Sequence, residues 1–228
     1  MDSLPGYISF VFILTTFLTI YFFYRSCLAS KTAIWVVLGW TIVQGVIGWS
    51  GFYTVTDTVP PRFILLFMPT LVVMGLLFFT SRGRRFIDDI DLRALTILHI
   101  VRIPVELVLF WLFVHQTVPQ SMTFEGRNFD ILSGISAPFI YYFVFVKNTL
   151  PKKFLMWWNL ICLLLLFNIV FLAFLSAPFP FQQYAFDQPN TAVLYFPYIW
   201  LPGVVVPLVL FSHLVVIRRL LAQSAIRG

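Results

Sequence analysis

The chain has 228 residues, 60% of them hydrophobic and 11% charged, with 15 Lys and Arg against 9 Asp and Glu. A soluble domain carries about 25% charged residues, and the mean hydropathy here is +0.93. Together these values exclude an ordinary soluble fold, and the distribution of the basic residues, gathered on one side of the spans, removes a nucleic-acid reading of the net charge.

Crossing a bilayer takes roughly 20 apolar residues. Seven runs of that order lie at about 7–24, 33–54, 63–81, 94–115, 130–147, 154–175 and 194–217. They predict an all-α polytopic membrane protein with one transmembrane domain over 1–228, built as a lone helix followed by three hairpins. The opening "MDSLPGY" has no positive charge, and no small-x-small cleavage site follows the first run, so 7–24 is expected to be a retained helix. The hairpins turn at "TVPPR" (58–62), "TVPQS" (117–121) and "SAPFP" (176–180). Pro69, Pro104, Pro138, Pro202 and Pro207 lie within the runs. Each removes a backbone donor and frees a carbonyl that a neighbour must satisfy, so a kinked bundle is expected.

With seven spans the connections alternate sides. One side holds Arg25, Lys31, Arg82, Arg84, Arg85, Arg93, Lys147, Lys152, Lys153, Arg218, Arg219 and Arg227; the other holds Arg62 and Arg127. The positive-inside rule then places the N-terminus outside and the C-terminus in the cytoplasm, with the basic ends near anionic head groups. The expected location is a plasma (inner) membrane of the bacterial type. The expected partners are the lipid bilayer, a small ligand or proton, and a second copy or a membrane subunit; nucleic acid is not among them. Cys27 ends the first run and Cys162 lies inside the sixth, so neither a disulfide nor a cysteine-based metal site is expected.

Two outer loops exceed simple turns. The first, "TVPQSMTFEGRNFD" (117–130), carries Glu125, Arg127 and Asp130; the second, 176–200, is rich in aromatics and carries Asp187. Aromatic rings favour the membrane interface, so the second loop is expected to lie across the mouth of the bundle. Glu125, Arg127 and Asp187 are assigned to an outer gate.

The fourth run contains "LHIVRIPVELVLFW" (98–111), with His99, Arg102 and Glu106 at spacings of three, four and seven. These spacings put all three on one helix face. An ionised side chain at the bilayer centre costs about 2.5–3.5 kcal/mol on insertion scales, so this face must turn inward. The local alternatives are an Arg102–Glu106 pair that holds helices together and a site for a solute or proton. His213 enters from the same cytoplasmic side as His99 and to similar depth. The substrate-binding set is therefore His99, Arg102, Glu106, Asp130 and His213. The two matched histidines also raise a b-type haem as an alternative cofactor, and a structural or assembly subunit is a third reading. The remaining polar groups in the runs, among them Gln44, Ser136 and Asn159, are expected to bridge helices.

No H-E-x-x-H, phosphate loop, Gly-rich dinucleotide fingerprint or G-x-S-x-G occurs, so no enzymatic site is assigned. The layout resembles that of microbial rhodopsins, but Lys31, Lys147, Lys152 and Lys153 all lie at inner loops or ends, where none can hold retinal. SWEET-type sugar transporters share the count and orientation, yet their proline-glutamine signatures lie in membrane helices. The Pro119-Gln120 of this chain lies in an outer loop, so that likeness is one of topology alone. The expected function is binding or transport of a small solute, coupled to a proton, through the polar face of the fourth helix.

Overall fold

The computed structural model describes residues 4–28, 30–58 and 60–225. Arg227, counted above among the inner charges, and Met1–Ser3 lie outside the described residues. The fold is all-helical, without a strand among the described residues. Its elements are α1 (Gly6–Ser26), α2 (Lys31–Trp49), α3 (Ile64–Phe79), α4 (Ser81–Asp89), α5 (Leu92–Leu98), α6 (Arg102–Val114), α7 (Ile131–Tyr141), α8 (Lys152–Ser176) and α9 (Val206–Ala225). A 3-10 turn at His99–Val101 joins α5 to α6, and π-helical turns at Tyr142–Val146 and Leu201–Val205 extend α7 and lead into α9.

Five segments are long and apolar enough to cross a membrane: Gly6–Ser26, Lys31–Trp49, Leu92–Val114, Lys152–Ser176 and Leu201–Gln223. Ile131–Val146 is a shorter apolar helix, and α3 turns by 90° into α4. That corner is tight: a Cβ on Gly83 would stand 2.4 Å from the Leu77 backbone. Thr80 caps α4 by accepting from Gly83 N at 3.1 Å. α4 is the polar element that apolar runs alone do not show, and it exposes Arg82, Arg84 and Arg85.

Two run boundaries move. The second helix ends at Trp49 rather than near 54, because Gly51 takes a left-handed conformation (φ 74°) and Phe52–Thr54 form a separate 3-10 turn. The last run begins as a helix only at Leu201. The preceding aromatic stretch packs on α2 instead, with Ile199 against Gly48 and Trp200 Nε1 donating to the Thr41 carbonyl at 2.9 Å.

The α5–α6 rod lies at the centre, packed by α1, α7 and α9, and α8 packs along α9. α2 and α3 form the rim, where Trp35, Ile42, Val46, Val72, Leu76 and Phe79 are exposed. Such an apolar outer belt is what a bilayer would cover.

The prolines explain several polar contacts between helices. A proline cannot donate to the carbonyl four residues earlier. Pro69 thus frees the Leu65 carbonyl, which accepts from Gln44 Nε2 at 3.4 Å. Pro207 frees the Gly203 carbonyl, which accepts from Trp40 Nε1 at 2.9 Å. Both donors come from α2, so a rim helix completes the backbone of two neighbours. Pro104 opposes the Ile100 carbonyl, and the chain tightens there into the His99–Val101 turn.

Trp40→Phe should lower stability in detergent by about 1–3 kcal/mol, since it strands the Gly203 carbonyl. Trp35→Phe, at an exposed site of the same helix, should leave the melting temperature in place. Equal melting of the two variants would show that the indole bond contributes nothing.

Candidate functional site

The inward turn of the polar face holds. His99, Arg102 and Glu106 are 0%, 2% and 1% exposed, and Asp130 and His213 are 5% and 0% exposed. The fold thus gathers the five residues assigned to solute binding into the interior, from α6, the start of α7, α9 and the 3-10 turn.

Arg102 does not pair with Glu106, its neighbour one turn along. Its Nη1 donates to Asp130 Oδ1 at 2.7 Å and to the Cys162 carbonyl at 3.4 Å. Its Nη2 lies 2.9 Å from His213 Nε2. The guanidinium therefore ties α6 to α7, α8 and α9. Gly134 permits the approach of α6 to α7, since a Cβ there would lie 2.9 Å from Ile103 Cγ1 and 3.3 Å from Arg102 Cβ.

The tautomer of His213 follows from these contacts. A guanidinium only donates, so His213 Nε2 accepts and Nδ1 carries the proton. Nδ1 then donates to Asn159 Oδ1 at 2.8 Å, and Asn159 Nδ2 donates to the Leu155 carbonyl at 2.9 Å. His213 is the neutral imidazole in this arrangement.

Glu106 is held from the 117–130 loop. Asn128 Nδ2 donates to Glu106 Oε1 and, at 3.0 Å, to the Met122 carbonyl. Asn128 Oδ1 accepts from Asp130 N at 3.0 Å. One asparagine thus links Glu106 to the backbone of the residue that meets Arg102. Its contact to the amide two residues on is an Asx turn at the start of α7. Sequence reasoning assigned Asn128 no role; the signal was an Asn two residues before an Asp at a helix start.

These contacts form one hydrogen-bonded chain. It runs from the Leu155 carbonyl through Asn159, His213, Arg102, Asp130 and Asn128 to Glu106 and the Met122 carbonyl. Leu155 sits in the first turn of the 25-residue α8, whereas Met122 Sδ accepts from the hydroxyl of Ser176, the last residue of that helix, at 3.6 Å. The chain therefore covers most of a helix about 37 Å long.

His99 stands beside this chain. Its ring stacks on His213 with centroids 4.1 Å apart at 17°, and meets Trp158 edge-on at 5.4 Å. Trp158 Nε1 is fixed by Ser136 Oγ at 2.9 Å. The parallel stack and the double engagement of His213 do not present two imidazole lone pairs to one ion from opposite sides. Among the described residues no group of three or more His, Cys, Asp and Glu has metal-binding geometry. The cluster also holds polar atoms with no hydrogen-bond partner among the described residues: both His99 nitrogens, Arg102 Nε and Glu106 Oε2.

The 176–200 loop folds back onto the 113–118 segment and the end of α8. Thr191 N and Ala192 N donate to the Thr117 carbonyl at 3.0 and 3.1 Å, and Asn190 N donates to the Ser176 carbonyl at 2.9 Å. Gln188 Nε2 reaches the carbonyls of Phe113 and Val118 at 2.9 and 2.6 Å. Glu125, Arg127 and Asp187, the assigned gate residues, are exposed on the outside of this cap. The residues that close it are Gln188, Asn190 and Thr191, uncharged side chains whose partners are mostly backbone.

The model of the family described as "Domain of unknown function (DUF8737)" matches residues 60–221, and the chain belongs to that family. The match contains the whole buried cluster and its cap and leaves out α1 and α2. No curated protein and no solved structure matches the chain.

Proposed function

We propose that this DUF8737 member is an integral membrane protein of seven spans that binds a small polar solute at the buried cluster and moves it together with a proton carried by Glu106. The spans are α1, α2, α3, Leu92–Val114, Ile131–Val146, α8 and Leu201–Gln223. The N-terminus lies outside and the C-terminus in the cytoplasm, in keeping with the inner side of twelve basic residues against two.

The observation that carries the proposal is Glu106. It is buried beside an ion pair that already uses the guanidinium. One of its oxygens is held by Asn128, and the other is unpartnered. Two carboxyl groups thus share a seam with one guanidinium and a neutral His213. Electroneutrality in such an enclosed place requires a proton or a cation at the second carboxyl. His99, with two unpartnered nitrogens, supplies a donor and an acceptor toward a solute. The closed cap makes this the occluded arrangement, and withdrawal of Asn128 with the 117–130 loop would release Glu106.

The test is reconstitution in proteoliposomes that trap a pH-sensitive dye, challenged with a panel of sugars, amino acids and small carboxylates. At least one solute should drive proton entry, and Glu106→Gln should abolish it while melting like the parent. No response to any solute, with Glu106→Gln indistinguishable from the parent, would leave the cluster as a structural seam and end the transport reading.

A further inference from the structure

A second feature lies at the other end of the fold. A groove of about 630 Å³ opens between the α4–α5 junction, the π turn after α7, the start of α8 and the end of α9. Its lining is mixed, and Leu28, Phe145 and Leu150 supply part of its apolar side. Three cations from three helices line it as well: Arg93, Lys152 and Arg219.

Among the described residues, none of these cations forms an ion pair with a carboxylate. The ion pairs among the described residues are Arg102–Asp130 and Arg218–Asp88. Arg93 Cζ lies 6.0 Å from the centroid of the Phe145 ring, at the groove wall. Lys152 Nζ donates to Gln223 Oε1 at 3.0 Å, and Arg219 Nη1 donates to the Ile90 carbonyl. The carboxylates of the lining are Asp89 and Asp91. Asp91 Oδ1 is committed to the Arg93 backbone amide at 2.9 Å, and Asp89 is exposed. The groove therefore joins apolar side chains to three cations against two carboxylates, with no ion pair between them among the described residues.

We propose that this groove binds a phosphate-bearing amphiphile, the headgroup of a phospholipid, with the phosphate between Arg93 and Lys152 and the first acyl carbons against Phe145 and Leu150. A guanidinium fork and an ammonium point charge are the two side chains that hold phosphate best. A wall of aliphatic and aromatic carbon serves no purpose for a free anion but accepts the start of an acyl chain. The site lies at the basic end of the fold, where the seven-span topology puts the head groups of the inner leaflet. It requires that the chain sits in a bilayer but not that it moves a solute.

The test uses the detergent-solubilised full chain and equilibrium binding of three probes: dihexanoyl-phosphatidylglycerol, sn-glycerol 3-phosphate and dihexanoylglycerol. The phospholipid should bind saturably, and Arg93→Gln with Lys152→Gln should weaken it by about tenfold or more, the loss of two charge-assisted bonds. Arg219 is kept because it ties α9 to Ile90. Arg82→Gln with Arg84→Gln, which removes the same charge from α4, should leave affinity within about twofold. Glycerol phosphate binding as tightly as the lipid would retain the phosphate site but make its source a soluble ester. Equal binding of dihexanoylglycerol, or equal weakening by the α4 variant, would overturn the proposal. The readout involves no flux, so its failure leaves the Glu106 reading untouched.

Discussion

Arg102→Leu should destabilise the protein by about 3–5 kcal/mol, the cost of stranding one member of a buried ion pair. The change removes the donor to Asp130 Oδ1 at 2.7 Å and the donor to His213 Nε2 at 2.9 Å. Asp130 would then be a buried carboxylate with no cation, and His213 would lose the contact that fixes its tautomer. Asp130→Leu alone should be costly for the complementary reason, since it leaves the guanidinium uncompensated. Arg102→Leu with Asp130→Leu should cost clearly less than the sum of the single changes, because two apolar side chains replace both charges at once. The measurement is a double-mutant cycle on reversible unfolding in mixed micelles, which isolates the coupling. Strict additivity would mean that the pair, though close, carries no energetic coupling. A double variant more stable than the parent would show that the pair is kept for function at the expense of stability.

The interior orientation of this face was legible from spacing alone. His99, Arg102 and Glu106 recur at helical intervals in an apolar run, and no lipid-facing helix tolerates them. His213 and Asp130 were legible for the same reason, as ionisable groups at the edges of apolar runs. The pairing among them was not. Sequence spacing favours Arg102 with Glu106, four residues on, but such i,i+4 pairs are weak, about 0.2–0.5 kcal/mol. A guanidinium with five donors instead reaches across the bundle to three other helices once Gly134 brings α7 close. Asn128 was invisible because loop residues show no periodicity; its role depends on a turn that brings it back over Glu106. α4 was missed for a related reason: a polar helix lying at 90° to α3 leaves no apolar run. Trp40 and Gln44 show the opposite case. Proline positions announce which carbonyls need donors, but only the packing of α2 reveals which side chains supply them.

The 117–130 loop makes the second strong expectation. Gly126→Ala should unfold this loop, costing about 3 kcal/mol or more in stability, a size expected when overpacking meets backbone rather than a movable side chain. A Cβ at Gly126 would stand 2.1 Å from the Gln120 carbonyl oxygen and 2.8 Å from Ser121 Cα. The loop folds back on itself there. Gly126 N donates to the Thr123 carbonyl at 2.9 Å, Arg127 N to Ser121 at 3.2 Å and Asn128 N to Thr123 at 3.3 Å. Forcing 126 away from 120–121 would draw Asn128 from Glu106 and from the Met122 carbonyl together. Asn128→Leu removes the same side-chain contacts and the Asx bond to Asp130 N but leaves the backbone bonds of 121–128 in place, so it separates the two causes. Proteolysis of the 117–130 loop and thermal melting should both respond to Gly126→Ala, whereas Asn128→Leu should shift melting alone. If Gly126→Ala melts like the parent, the close approach of the two loop arms is wrong, and the means by which the cap holds Glu106 falls with it.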